Sequence, residues 1–191
     1  MTGIVLAGGE SRRMGTDKAF LRVNGLSMIE HVLRTMREVC DHVVVVTNTP
    51  DAYRGFDAEI TGDAFNSRGA LVGIYSGLLR SRSEHSLVVA CDMPFLNAGL
   101  LSYLAEIAGE HDVVLPRVGE LIEPLHAVYR RSLVPVIEDL LRRDQRRIRA
   151  LFTGLSIRYV GEAEIDRFDS ARRSFLNLNT RKEYEEVTCS D

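Results

Sequence analysis

Four consecutive valines, from Val43 to Val46, are the feature of this sequence that most limits its fold. A strand with one face in water alternates apolar and polar residues, whereas an unbroken apolar run indicates a strand buried on both faces. Such strands are typical of parallel sheets that helices cover on both sides. The segment 42–47 therefore predicts an internal strand of an α/β protein.

Short apolar runs and helical patterns alternate along the rest of the chain. Further strands are predicted at 3–7, 58–61, 86–91, 112–115 and 122–129. Helices are predicted after the capping residue Ser27 and at 70–79, 100–108 and 132–143. This order predicts a mostly parallel sheet with crossover helices, in a single domain over residues 1–191.

Charge and cysteine usage exclude several classes of protein. The 24 basic and 27 acidic residues give a net charge of −3, which argues against a nucleic-acid-binding protein. Cys40, Cys91 and Cys189 are odd in number and lack metal-ligand spacing, so a disulfide framework and a zinc site are disfavoured. The odd number and unpaired spacing of the cysteines predict a reducing compartment, and no run approaches about 20 apolar residues, so a cytoplasmic protein without a membrane span is expected.

A glycine-rich loop follows the first strand. Gly8 and Gly9 let the backbone approach a ligand closely, and successive N–H groups in such a turn bind anions. Arg12, Arg13 and Lys18 add positive charge suited to phosphate oxygens. The spacing matches neither a Walker A loop nor the G-x-G-x-x-G dinucleotide motif. The loop therefore predicts a triphosphate site of another type.

Asp92 follows the apolar strand at 86–91, and Pro94 ends that strand. In parallel sheets ligands bind beyond the carboxyl ends of the strands, where a carboxylate suits Mg²⁺ bound to substrate phosphates. The alternative is that Asp92 caps a helix starting near Pro94 or Asn97. Beside a triphosphate loop, the metal interpretation is favoured.

Five segments, in order, resemble the motifs of a known family. The run L-A-G-G-E-S-R-R-M-G-T-D-K-A, from Leu6 to Ala19, resembles the signature of the MobA-like nucleotidyltransferases. The full set resembles the branch that transfers guanylyl groups to the molybdenum cofactor. The other four motifs are Arg68–Ile74, Ala90–Phe95, Glu123–Tyr129 and Phe175–Thr180. Ala70 stands where the family usually has proline, which removes no functional group.

The resemblance implies both a fold and a reaction. The fold is a Rossmann-like three-layer α/β/α nucleotidyltransferase fold, with a mostly parallel sheet and an antiparallel edge strand. Residues 1–110 would bind GTP and residues 111–191 molybdopterin. In the implied Mg²⁺-dependent reaction, the phosphate of Mo-molybdopterin attacks the α-phosphorus of GTP. The products are the guanine dinucleotide cofactor and pyrophosphate.

The resemblance also implies roles for individual residues. Catalysis falls to Arg13, Lys18 and Asp92, with Asp92 as the metal ligand. The GTP-binding positions are Leu6, Ala7, Gly8, Gly9, Lys18, Asn48, Asp63, Gly69 and Asp92. The pterin-binding positions are His126, Asn177 and Asn179.

Plainer roles remain open at several of these positions. Guanine presents adjacent N1–H and N2–H₂ donors that the Asp63 carboxylate can accept, but Asp63 and Asn48 also suit ordinary turns. In a strand, His126 and Ala127 point to opposite faces, and a structural role for His126 is the alternative to pterin binding. Asn177 and Asn179 suit a turn as well. Cys91 is interpreted as a core residue rather than a nucleophile.

An arginine cluster at 142–149 has two interpretations. It is either a solvated face paired with nearby carboxylates or a docking patch for the pterin phosphate or a carrier protein. Its members are Arg142, Arg143, Arg146, Arg147 and Arg149, and the nearby carboxylates are Glu138, Asp139 and Asp144.

Two alternative functions are retained. A cytidylyltransferase acting on the same pterin usually reads A-A-G where this chain has Ala7-Gly8-Gly9, so guanine is favoured. A non-catalytic nucleotide-binding regulator of the same fold is disfavoured because Arg13, Lys18 and Asp92 are all present. A molybdoenzyme apoprotein and an accessory GTP-binding protein are candidate partners, and the chain is expected to be a monomer.

Overall fold

The computed structural model describes residues 1–8, 18–65 and 68–178. Within them the chain forms the strands β1 (Thr2–Leu6), β2 (Arg22–Val23), β3 (Leu26–Ser27), β4 (His42–Val46), β5 (Glu59–Thr61), β6 (His85–Ala90), β7 (Val113–Val118), β8 (Leu121–Ile122), β9 (His126–Arg130) and β10 (Ile157–Val160). The α-helices are α1 (Met28–Val39), α2 (Ala70–Arg80), α3 (Ala98–Glu106), α4 (Val134–Arg142), α5 (Ile148–Leu151) and α6 (Glu162–Ile165). Among the described residues, no helix is long and apolar enough to cross a bilayer.

The main sheet has β1 near its centre. Its strand order is β10-β7-β9-β6-β1-β4-β5, with β8 paired to β7, and β2 and β3 form a separate hairpin. β1 runs parallel to β4 and β6, and Leu6 lies level with Val46 and with Ala90. β5 continues this direction beside β4. The carboxyl ends of β5, β4, β1 and β6 therefore meet along one side of the sheet, called here the carboxyl edge.

Two strands run against the others: the internal strand β9 and the short strand β8, which pairs only with β7. β9 pairs antiparallel with β6 on one side and with β7 on the other. The α/β fold with a mostly parallel sheet is thus confirmed, and the antiparallel strand β8, paired on one side only, lies at an edge as expected. The two end strands of the main strand order, β5 and β10, are each parallel to their neighbour. Alternation of apolar residues predicts that a strand exists, not which strands it lies between.

Helices cover both faces of the sheet and complete three layers. On one face, apolar residues of α1, α3 and α6 pack against β1, β4, β6 and β9. On the other face, α2, α4 and α5 pack against the same sheet. All four valines from Val43 to Val46 are buried, which confirms the strand predicted to be covered on both sides.

Helix starts follow the sequence signals closely. Ser27 caps α1, and Glu30 completes a capping box by accepting the Ser27 backbone N–H at 2.7 Å. Asn97, not Asp92, caps α3, because the Asn97 side chain accepts the Leu100 N–H at 2.9 Å. The capping alternative for Asp92 is therefore excluded. The strand predicted at 122–129 is in fact two, β8 and β9, separated by a turn containing Pro124.

Two glycines bring α2 into close contact with the central strand. A Cβ on Gly73 would lie 3.1 Å from Leu6 Cδ2, and a Cβ on Gly77 would lie 3.0 Å from Ile4 Cδ1 and closer still to Ile4 Cγ2. Ile4 is fully buried, so it has little freedom to move away. The helix can lie this close to β1 only because these positions lack side chains.

Replacing Gly77 with Ala should therefore destabilise the protein. Alanine favours a helix over glycine by about 1 kcal/mol, but overpacking a fixed core typically costs about 1–3 kcal/mol. We expect a net loss of stability and a melting temperature lower by several degrees. Gly55→Ala is the control, since Gly55 lies in an exposed turn with space for a Cβ. Equal melting temperatures for the two variants would contradict the packing argument.

Candidate functional site

The carboxyl edge brings several predicted residues together because its strands end at the same level. The Ala7 N–H donates to Val46 O at 2.8 Å, and the Cys91 N–H donates to Leu6 O at 3.1 Å. The Thr47 N–H donates to Thr61 O at 2.9 Å. The residues that follow these strands therefore share one rim, with Gly8 between Asn48 on one side and Asp92 on the other.

The start of the glycine-rich loop offers backbone rather than side chains. Leu6 and Ala7 are buried in the core, so a ligand at this edge would meet their main chain. Gly8 is exposed, and a Cβ placed on it would lie 3.9 Å from the Asn48 side-chain nitrogen. Gly9 and Arg13 lie outside the described residues, so their predicted roles stay predictions.

Asn48 and Asp63 form a hydrogen-bonded pair across the rim. The Asn48 Nδ2–H donates to Asp63 Oδ2 at 2.7 Å, and the Asp63 N–H donates to Asn48 Oδ1 at 3.4 Å. Asn48 is exposed and Asp63 is half-buried. The other carboxylate oxygen of Asp63, Oδ1, accepts no hydrogen bond from Asn48. The fold thus brings together two residues that are 15 positions apart in the chain.

Ser76 holds the loop that carries Asp63. Its hydroxyl donates to Val72 O at 2.7 Å and accepts the Ala64 N–H at 2.9 Å, and it is 1% exposed. It therefore ties the segment after β5 to the core of α2. Ser76 is not among the predicted site residues, although a serine within the apolar face of a predicted helix is a signal of such a bond.

Gly69 begins α2 with a backbone conformation that suits glycine. Its φ is 141° and its ψ is 160°, and its carbonyl accepts the N–H groups of Val72 and Gly73. A Cβ there would lie 4.0 Å from the Arg146 carbonyl oxygen. The first turn of α2 and the loop at 146 therefore adjoin one another.

Lys18 and Asp92 interact electrostatically across the mouth of the glycine-rich loop. Burial raises the pKa of the half-buried Asp92 carboxyl, and the nearby Lys18 charge opposes that rise. Among the described residues, no group of three His, Cys, Asp or Glu side chains could hold a metal. Fewer than three such side chains of the described residues would therefore contribute to a cation site at Asp92.

The segment 173–178 passes over Asp92. The Leu178 N–H donates to the Asp92 carbonyl oxygen at 3.1 Å, and the Leu178 side chain is buried. Asn177 is half-buried next to this contact, whereas Asn179 lies outside the described residues. Chain from the carboxyl-terminal part therefore adjoins the predicted metal ligand.

His126 is fully buried at the start of β9. Its ring packs edge-on against Phe175, with centroids 5.0 Å apart, and neither ring nitrogen has a hydrogen-bond partner within the described residues. Burial lowers its pKa to about 4, so the ring is neutral near pH 7. Direct contact with a substrate is not available in this arrangement, and its predicted role in pterin binding stays a prediction.

Three of the five arginines in the cluster form ion pairs with nearby carboxylates. Arg142 pairs with Glu138, Arg143 with Asp139, and Arg146 with Asp144, as one of the two interpretations predicts. Arg147 and Arg149 are exposed and form no ion pair within the described ranges. Since α4 ends at Arg142, the cluster is not one helical face.

Comparison with known proteins gives a consistent picture. The model of the MobA-like NTP transferase domain matches residues 3–159. A molybdenum cofactor guanylyltransferase of Desulfosudis oleivorans is 42% identical over 189 residues, which cover 98% of this chain and 94% of the relative. A molybdenum cofactor guanylyltransferase of Syntrophotalea carbinolica is 36% identical, covering 96% of this chain and 89% of the relative.

Solved structures agree at the level of the fold. Molybdopterin-guanine dinucleotide biosynthesis protein A from Archaeoglobus fulgidus superposes with a TM-score of 0.85 at 28% identity, covering 98% of this chain and 97% of that one. The protein Rv0371c of Mycobacterium tuberculosis, in a complex with manganese, has a TM-score of 0.71 at 14% identity. That comparison covers 100% of this chain and 98% of the other. The five motifs, the carboxyl edge and these matches together lead to one assignment: the chain belongs to the MobA-like NTP transferase family.

Proposed function

We propose that this chain is a molybdenum cofactor guanylyltransferase, which transfers GMP from GTP to the phosphate of Mo-molybdopterin. The observation that carries the proposal is the 42% identity to a guanylyltransferase over nearly the full length of both chains. An oxygen of the pterin phosphate forms a bond to the α-phosphorus of GTP. The bond from that phosphorus to the bridging oxygen of the β-phosphate breaks, and pyrophosphate leaves.

This reaction needs no catalytic base. A phosphate monoester has its second pKa near 6, so the attacking oxygen already carries charge at neutral pH. The protein's task is to bring two anions together and to stabilise the charge that develops on the leaving pyrophosphate. Cations and N–H donors at the carboxyl edge supply that stabilisation. Lys18 is the cation proposed for this role among the described residues, and Arg13 is a further candidate.

Asp92 is proposed as the ligand of a Mg²⁺ ion. The donor set fits, because Mg²⁺ is usually bound by one or two carboxylates, substrate phosphates and water, and Asp92 is a half-buried hard oxygen donor beside the loop. When bound, the ion neutralises phosphate charge. The nearby Lys18 charge opposes the rise in the pKa of Asp92 that burial causes, and the segment 173–178 lies over Asp92 beside the proposed acceptor side.

The base of GTP is proposed to bind at the Asn48–Asp63 pair. The Asn48 amide holds one oxygen of Asp63 at 2.7 Å, which fixes the carboxylate for the adjacent N1–H and N2–H₂ donors of guanine. Ser76 holds the loop behind it. Gly8 and Gly69 would approach the nucleotide with their backbones.

The acceptor side is proposed to lie in residues 111–191, with Asn177 and Asn179 near the pterin or its phosphate. His126 would act through Phe175, which it contacts, rather than by touching the substrate. A molybdoenzyme apoprotein or an accessory GTP-binding protein would receive the product or supply the nucleotide. We further propose that the enzyme works as a monomer in the cytoplasm, in keeping with its odd number of cysteines without paired spacing.

Nucleotide selectivity tests the base site. With Mg²⁺ and GTP at about 100 times its dissociation constant, the wild type should gain about 2.7 kcal/mol of stability, and CTP should give a much smaller gain. Asp63→Asn should remove the preference for GTP over CTP in thermal denaturation, because an amide cannot replace a charged acceptor for two donors. Asp51→Asn, in an exposed ion pair with Arg54, is the control. An Asp63→Asn protein that still prefers GTP would contradict the assignment.

Turnover tests Asp92. Asp92→Asn should lower the rate of pyrophosphate release by about 100-fold or more, since it removes the charge that holds the cation. The exposed Asp57→Asn is the control and should retain full activity. Melting temperatures of both variants show whether they fold. A folded Asp92→Asn protein with near-normal Mg²⁺-dependent turnover would rule out the metal role.

A further inference from the structure

The carboxyl edge extends past Asp92, away from the base site. Asp63 follows β5, which is three strands from β6, so at about 4.8 Å per strand it lies about 14 Å along the edge from Asp92. On the other side of β6 the next strand is β9. Because β9 is antiparallel, its beginning rather than its end faces this edge, and the preceding turn at 123–125 occupies it.

That turn is held firmly by backbone bonds. The Glu123 N–H donates to Pro116 O at 3.1 Å, and the Glu123 carbonyl accepts the His126 N–H at 3.1 Å. The Tyr129 hydroxyl donates to Pro124 O at 2.7 Å from a fully buried position. The Ala90 N–H reaches Leu125 O at 3.2 Å, which joins the turn to the end of β6 just before Asp92. These hydrogen bonds therefore hold the backbone of Glu123 in place.

The Glu123 side chain has no such partner. It is half-buried, and within the described residues it forms no hydrogen bond and no ion pair. Burial raises the pKa of this carboxyl, as it does for Asp92 at the same edge, and no cation of the described residues opposes the rise at Glu123. A partly desolvated carboxylate without donors is unfavourable unless a ligand supplies them.

The two substrates of the proposed reaction present the same donor pattern. Guanine and a pterin both contain a 2-amino-4-oxopyrimidine ring, with an N–H and an NH₂ side by side, and a carboxylate can accept from both. We propose that Glu123 binds this edge of the pterin in the second substrate, as Asp63 binds it in guanine. The inference rests on the proposed function and adds a specificity residue to it. Two carboxylates on opposite sides of Asp92 would then bind one ring each, Asp63 the guanine and Glu123 the pterin.

The positions of Glu123 and Asp63 along the carboxyl edge indicate which of the two substrates supplies the ring that Glu123 binds. Glu123 lies on the β9 side of Asp92 and Asp63 on the β5 side, and the glycine-rich loop after β1 lies between β6 and β4 on the Asp63 side. A GTP molecule with its phosphates at that loop and its base at Asp63 leaves Glu123 to the other substrate. The structure therefore favours the pterin over guanine as the ligand of Glu123.

The test compares two ligands and three variants. Hydroxymethylpterin phosphate is the probe, and its lumazine counterpart, which carries oxygen in place of the 2-amino group, lacks one donor. Binding is measured with Mg²⁺ and a GTP analogue that cannot react. The variants are Glu123→Gln, the exposed neighbour Glu120→Gln as matched control, and Asp63→Asn. Melting temperatures confirm that each variant folds.

We expect the wild type and Glu120→Gln to bind the pterin about 10-fold or more tightly than the lumazine, as the loss of a charge-assisted hydrogen bond implies. Glu123→Gln should bind both equally and keep its full stabilisation by GTP, whereas Asp63→Asn should lose GTP selectivity and keep the pterin preference. A pterin preference that survives in Glu123→Gln, or is missing from the wild type, overturns the inference. So does a Glu123→Gln protein that loses GTP binding instead. Failure of GTP to stabilise the wild type would overturn the proposed function itself.

Discussion

β1 forms parallel hydrogen bonds to β4 on one side and to β6 on the other, with Leu6 level with both Val46 and Ala90. This register aligns the last residues of the three strands, so the loops that follow them begin at the same level of the sheet. A slip of one residue in either pairing would turn the side chains of a strand to the opposite face, which the fully buried strands do not permit. The relative placement of Gly8, Asn48 and Asp92 is therefore a consequence of core packing rather than of the loops themselves.

A single helix, α2, then supports the part of the sheet from β1 to β5. Gly73 and Gly77 let α2 lie directly on β1, Gly69 starts its first turn, and Ser76 reaches out to the loop that carries Asp63. Each of these contacts is made by a glycine or a small polar side chain. The helix thus positions β1 and the loop that carries Asp63 relative to one another through contacts that need little space.

The sequence predicted the parts of the fold that local chemistry decides. The valine run, the cap at Ser27 and the apolar face of α1 each have a short-range signal, and all are confirmed. Asp92 was correctly placed at the end of β6. The internal position of β9 was not predictable, since strand order depends on long-range pairing. The Asn48–Asp63 bond and the burial of His126 behind Phe175 likewise depend on residues that are distant in the chain.

The reversed direction of β9 has a consequence for how such an enzyme can diverge. The strands β1, β4, β5 and β6 each contribute to the carboxyl edge the loop that follows them, whereas β9 contributes the turn that precedes it, continuous with the β7–β8 hairpin and its exposed Gly119. Insertions or deletions in that hairpin would change the edge beside Glu123 and leave the loops of β1, β4 and β5 in place. In the proposed arrangement of the two substrates, acceptor choice can therefore evolve separately from nucleotide choice, because the two are encoded in loops of opposite polarity on one shared sheet.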